Sequence, residues 1–305
     1  MVSEYTPNRH RDLSITFLQA GYPIGAMLTG FVASWLIPEY GWRTLFLLAG
    51  LASVAFIPLV WLWLPESIEF LEKRHGNRAL PQINRLLNKM RQPALTADDL
   101  QTETHSEEEA TLKSLFAPQY KSLTLLIGSA FMLSFVTLYF LLSWVVKLAV
   151  EAGLGFENAA YAGISLNLGA FFGAVVLGQL SKTLGLKRVI SLFFAIGTVL
   201  IVMYGHMRSS IPLVLTLIFL VMFFYQGAFV GLYAVAARIY PTSIRTRGVG
   251  FAIGAGRIGA IIGPALAGVL LSMDITIAWT FTLFALPAVG AALIVSLMDK
   301  RDLSF

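Results

Sequence analysis

The sequence predicts an all-α membrane protein with eight transmembrane helices, and three observations carry that expectation. The 305 residues are 57% apolar and only 13% charged, with a mean hydropathy of +0.74, whereas a soluble domain carries about 25% charged residues. The chain contains eight apolar runs of 20 residues or more, the length a helix needs to cross the hydrocarbon of a bilayer. The basic residues, finally, collect on alternate connections between those runs, as cytoplasmic loops do.

The elements follow in order. Residues 1–13 are polar and lack the apolar centre of a signal peptide. The runs cover residues 14–37, 44–64, 122–146, 159–181, 188–207, 212–237, 248–272 and 277–298. The sixth is the clearest: from 213 to 230 it is relieved only by Thr216, Tyr225, Gln226 and Gly227. The seventh is rich in glycine, which favours close helix approach in lipid. A short polar stretch, 151–158, separates the third run from the fourth. Residues 65–121 form a 57-residue polar segment holding nine acids and eight bases, so it is nearly neutral. Helical turns are expected over 80–90 and a loop over 94–110.

Residues 1–13, the 65–121 segment, the loops near 182–188 and 238–247, and the tail hold eighteen of the 22 basic residues. The opposite side has only Arg43, Lys147 and Arg208, and Arg257 lies inside a span. The net charge of +5 is therefore a topology signal rather than a sign of nucleic-acid binding, and both termini are expected in the cytoplasm. The chain has no cysteine, which excludes disulfides and thiolate metal sites.

Two segments repeat. Pro7, Arg11 and Ile24-Gly25-Ala26 match Pro241, Arg245 and Ile258-Gly259-Ala260 at identical offsets, 234 residues apart. Each begins in a basic loop and runs into a glycine-bearing span. Chance among common residues is the bland reading; a duplicated helical unit is the better one. The repeat sets the first span in register with the seventh, a period of six helices. Spans three to eight then form a complete unit, and four helices are expected upstream of Met1. The corresponding division is 1–64 as a two-span remnant of an N-terminal six-helix bundle, 65–121 as a cytoplasmic central loop, 122–298 as a complete C-terminal bundle, and 299–305 as a tail.

These features resemble the major facilitator superfamily. Glu4-Tyr5-Thr6-Pro7 with Arg9 and Arg11 is similar to that family's loop after the fourth helix. Gly41-Trp42-Arg43 with Phe46, then Leu64-Pro65-Glu66-Ser67, is similar to its sugar and aromatic-acid branches. Tyr240-Pro241-Thr242 with Arg245 and Gly248 resembles the loop before the eleventh helix. Gly21-Tyr22-Pro23 and Gly256-Arg257-Ile258-Gly259 look most like the aromatic acid:proton symporters. Gly178, Ser181, Lys182, Gly185, Lys187 and Arg188 resemble the family's signature loop in its second half, except that Lys182 stands where an acid is usual. The gating salt bridge of that acid is therefore not expected. The first-half copy of the signature is absent, as is the first-helix aspartate motif that the aromatic-acid branch uses for proton coupling. The resemblance implies helices five to twelve of a twelve-helix transporter in the inner membrane.

Among residues that carry chemistry, Arg257 is the sharpest candidate. A charge at mid-span costs at least about 2.5–3.5 kcal/mol, and no acid lies inside any predicted span. A buried guanidinium in that position needs an anion, and a substrate carboxylate fills the role bidentately. The competing reading is a structural arginine bonded to carbonyls or reaching a water-filled cavity. Gly254-Ala255-Gly256-Arg257-Ile258-Gly259 matches G-x-G-x-x-G, but a dinucleotide site requires a strand before it, and here the glycines are read as helix packing. Asn167 and Gln226 are polar groups in apolar spans, suited to a substrate or to a neighbouring helix. Tyr139 and Tyr225 are candidates for stacking on an aromatic ring; Tyr233 and Trp144 are weaker ones. The four histidines are scattered, and no Ser-His-Asp or H-E-x-x-H arrangement occurs, so neither an enzyme, a metal nor a cofactor is expected.

The function expected is transport of a small organic anion, an aromatic carboxylate by resemblance, with proton symport in the full-length form. Within the bilayer its partners would be the anion and a proton. A sugar or nicotinate-like substrate stays open. So do two other classes: a non-transporting truncated fragment, and an assembly subunit whose missing helices come from a partner chain.

Overall fold

The computed structural model describes residues 5–6, 10–68, 70–71, 76–90, 92–96, 112–150, 159–206 and 210–298. Over these residues every predicted span is helical to within one residue of its expected end. The first two spans lie within α1 (Arg11–Trp63), which is two helices meeting at a kink in the stretch between the expected spans. The break is confined to Gly41, at φ 75° and ψ 167°, a backbone region that glycine enters without a Cβ penalty. The stretch covers two candidate spans, Leu13–Ile37 and Glu39–Trp63. Six further spans follow: α3 (Lys121–Ala149), α4 (Ala159–Leu184), α5 (Leu186–His206), α6 (Ile211–Ile239), α7 (Thr242–Ser272) and α8 (Ile277–Leu297). Between α1 and α3 lies the short helix α2 (Leu80–Lys89), preceded by a 3-10 turn at Gly76–Ala79.

The chain divides into two compact units. One joins Met1–Tyr5 to Val32–Ala110, and the other joins Thr6–Phe31 to Thr111–Phe305. A boundary at 110/111 lies inside the central polar segment, and another falls within the first span. Its cause is local: at Gly178 of α4 a Cβ would collide with the Thr16 hydroxyl and press on Leu13, so the start of α1 lies against α4.

In the larger unit α3 runs along α7, α4 along α6, and α5 between α6 and α8. The first two pairings rest on glycines four residues apart. A Cβ at Gly259 would collide with the Met132 carbonyl of α3, and one at Gly263 with the Val136 carbonyl. On α4, Gly169 and Gly173 stand in the same way against the Phe219 and Phe223 carbonyls of α6. Apolar burial provides no drive between helices in lipid, so close backbone approach and dispersion hold such pairs. Within the G-x-G-x-x-G string this is the role of Gly259, whereas nothing lies within 4 Å of a Cβ at Gly254. Gly256 faces the Phe135 ring.

In the smaller unit, Leu71, Ala79 and Ile83 form a buried cluster with Ile68, Leu86, Leu87 and Leu95 around α2. The helical turns expected at 80–90 are present. Asn84 pins the following coil, donating to the Leu95 carbonyl at 3.0 Å and accepting from its N–H at 2.8 Å. The rest of the expected loop, 97–110, lies outside the described residues, as do 151–158 and the tail 299–305. Tyr5 donates to the Glu66 carbonyl at 2.6 Å, joining two of the strings read in the sequence. The most apolar window of Glu39–Trp63 buries none of its residues, and Trp61 and Trp63 are 85% and 81% exposed.

Candidate binding cavity

One cavity of about 180 Å³ in the larger unit gathers most of the residues singled out in the sequence: Arg257, Tyr139, Asn167 and Gln226. The helical period explains the selection. On α3 the lining residues are Phe135, Leu138, Tyr139 and Leu142; on α6 they are Met222, Gln226, Phe229, Val230 and Tyr233. Both sets follow the i, i+3, i+4, i+7 spacing of a single face. The start of α1 adds Gln19, Tyr22 and Pro23.

Tyr225 is not among the lining residues. It precedes Gln226 by one position, so it points about 100° away around the helix. Its ring is fully buried and its hydroxyl donates to the Ser134 carbonyl at 2.9 Å. Tyr233, seven residues beyond Gln226, takes the place expected for it. Trp144 donates from Nε1 to the Pro264 carbonyl at 3.3 Å, linking α3 to α7.

Arg257 was expected to be a buried guanidinium; its side chain is instead exposed, because it reaches from α7 into the cavity. It donates to the Tyr139 hydroxyl at 2.5 Å and lies 5.3 Å from the Phe135 ring centre. Both contacts favour the cation over a purely apolar wall. Among the described lining residues Arg257 is the only charged one. The Tyr139 hydroxyl accepts from Arg257, which directs its own proton elsewhere. Aromatic rings make part of the remaining wall: Phe135 meets Phe229 edge-on at 4.8 Å and lies tilted against Tyr139 at 5.6 Å.

Of the amides in the wall, the two singled out in the sequence differ. Asn167 donates to the Gly163 carbonyl one turn back in α4, at 2.9 Å, rather than to a neighbouring helix. Gln226 is 8% exposed, and its Oε1 is buried without a hydrogen-bond partner among the described residues.

The loop-motif residues lie elsewhere. Gly185 turns α4 into α5 at φ 84°, a left-handed conformation that suits glycine. Lys182 donates to His10 Nδ1 at 3.0 Å, and Lys187 donates to the Met298 carbonyl at the end of α8, complementing that helix terminus. Arg188 is exposed. Pro241 is the N-cap of α7, and its carbonyl accepts from the Ile244 and Arg245 N–H groups. Arg245 returns a bond from Nε to the Tyr240 carbonyl at 3.3 Å. Gly248 is required there, since a Cβ would enter the Tyr240 ring. Arg11 opens α1, and its side chain lies outside the described residues.

The family model of the Major Facilitator Superfamily matches residues 1–206 and again 166–304. The chain is 34% identical over 295 residues to a gallate transporter of Pseudomonas putida, covering 96% of this chain and 65% of the relative. It is 30% identical over 305 residues to a benzoate transport protein of Acinetobacter baylyi, covering 99% and 64%. It is 32% identical over 311 residues to the 4-hydroxybenzoate transporter PcaK of Pseudomonas aeruginosa, covering 99% and 68%. The chain thus spans about two thirds of the length of these relatives, and slightly less for the first two. In fold it is similar to the proton:xylose symporter XylE solved with 6-bromo-6-deoxy-D-glucose, with a TM-score of 0.70 and 20% identity, covering 96% of this chain and 65% of that one. By the extent of the family match, this chain belongs to the major facilitator superfamily.

Proposed function

We propose that this chain carries the anion-binding part of a transporter for small aromatic carboxylates, with Arg257 holding the carboxylate. The observation that carries this reading is the placement of Arg257: the only charged group among the described lining residues, in a cavity whose wall includes the rings of Tyr22, Phe135, Tyr139, Phe229 and Tyr233. A carboxylate beside the guanidinium gains paired, charge-assisted hydrogen bonds. Tyr139 positions the guanidinium and has a proton to give to the same anion, and the rings pack against an aromatic body. The relatives named for gallate, benzoate and 4-hydroxybenzoate support this choice of substrate class.

The same proposal includes the correspondence of the eight spans to helices five to twelve, proton symport in the full-length form, and an inner-membrane location with both termini cytoplasmic. No carboxylate is among the described lining residues, so the coupling acid is expected outside this cavity. The 305-residue chain is therefore expected to bind aromatic acids without concentrating them. Proton-driven accumulation by this chain in proteoliposomes would overturn that part.

The two amides, Asn167 and Gln226, favour a second reading, since amides suit the hydroxyls of a sugar. Calorimetric titration of the purified chain with a panel of acids and sugars separates the two. Arg257→Ala is expected to weaken acids roughly 10- to 100-fold and leave any sugar binding unchanged. Acid binding that survives the substitution would remove Arg257 from the site.

A further inference from the structure

Three buried side-chain oxygens lack a hydrogen-bond partner among the described residues: Ser134 Oγ, Ser191 Oγ and Gln226 Oε1. Only Gln226 lines the cavity. A carbonyl oxygen taken out of water and left unpaired is costly, and such atoms are usually satisfied by something. Oε1 is purely an acceptor, so what satisfies it must bring a donor. An ether, a halide or a second carboxylate does not.

Beside Gln19 and Tyr22 from α1 and Tyr233 from α6, the polar residues singled out in the sequence are divided between two helix pairs. Arg257 and Tyr139 come from the α7–α3 pair, while Gln226 and Asn167 come from the α6–α4 pair. Asn167 already spends a donor on its own helix. A ligand that bridges the pairs therefore presents an anion to one and a hydrogen-bond donor to the other, with an apolar body between.

We infer that Gln226 is a specificity-determining residue that selects ring-hydroxylated aromatic acids over unsubstituted ones, its Oε1 accepting the bond from the substrate's hydroxyl. The inference rests on the aromatic-carboxylate reading above and deepens it. A site with a buried polar group built for a hydroxyl discriminates against the analogue that lacks it, because the group is then left unpaired.

The test uses the full chain in detergent and the probes benzoate, 3- and 4-hydroxybenzoate, and the matching methoxybenzoates, which keep the oxygen but lose the donor. The better hydroxybenzoate is expected to bind roughly tenfold tighter than benzoate and than its methoxy counterpart. Gln226→Leu, of similar length and suited to lipid, is expected to abolish that preference, bringing the hydroxybenzoates to the level of benzoate. Equal binding of hydroxylated and unsubstituted acids by the wild type overturns the inference alone, with no variant needed. A preference that survives Gln226→Leu does the same. If no aromatic acid binds the wild type, the aromatic-carboxylate reading falls and takes this inference with it.

Discussion

The guanidinium of Arg257 depends on a neighbour that the chain places 118 residues away, the hydroxyl of Tyr139. Tyr139→Phe keeps the ring and removes the acceptor. It is expected to weaken aromatic-acid binding by roughly threefold to tenfold in titrations, the range of one hydrogen bond, with sugar binding unaffected. Arg257, Asn167, Gln226 and Tyr139 were all legible in the sequence, because a polar group inside an apolar helix stands out at a cost of its own. Tyr225 was also singled out, yet composition cannot say which way a side chain points. One residue's rotation about the helix took it into the protein and left Gln226 in the cavity. Tyr233, Phe229 and Phe135 were open to the same periodic reading once one residue of the face was fixed, but fixing it required the pairing of α3 with α7 and α4 with α6.

At the scale of the element, the glycine pairs make the sharpest prediction. Gly263→Ala and Gly173→Ala place a methyl group into the Val136 and Phe223 carbonyls. Each is expected to cost about 1–3 kcal/mol as overpacking, seen as a lower midpoint in thermal denaturation followed by circular dichroism. Gly254→Ala is the control: nothing lies within 4 Å of its Cβ position, so it should be neutral or slightly stabilising through helix propensity. Equal losses at all three positions would show that the close approach is not what the glycines serve. The spans themselves were legible because length and apolarity are local properties. The form of the connection between the first two spans was not: the two helices meet at a kink at Gly41, a single glycine at positive φ. The turn at Gly185 is the complementary case, since one glycine there joins two helices with no loop at all.

For the whole molecule, the distribution of Lys and Arg yields a directional test. With no native cysteine, a single introduced one reports its side of the membrane without interference. In oriented vesicles, Lys182→Cys is expected to react with an impermeant maleimide only from the cytoplasmic face, and Ser210→Cys only from the opposite face. Labelling of both from one side would overturn the proposed orientation. Charge placement is legible from sequence alone because insertion reads it locally. The division into two units was not legible there, since it follows from the contact of Leu13 and Thr16 with Gly178, which no periodicity announces. The exposed second span has a further consequence for spectroscopy. Five of the six tryptophans, Trp35, Trp42, Trp61, Trp63 and Trp279, are more than half exposed. The intrinsic fluorescence of the chain therefore reports mainly its boundary with the surrounding amphiphile, and brominated lipid tails should quench all but the contribution of Trp144, half-buried between α3 and α7.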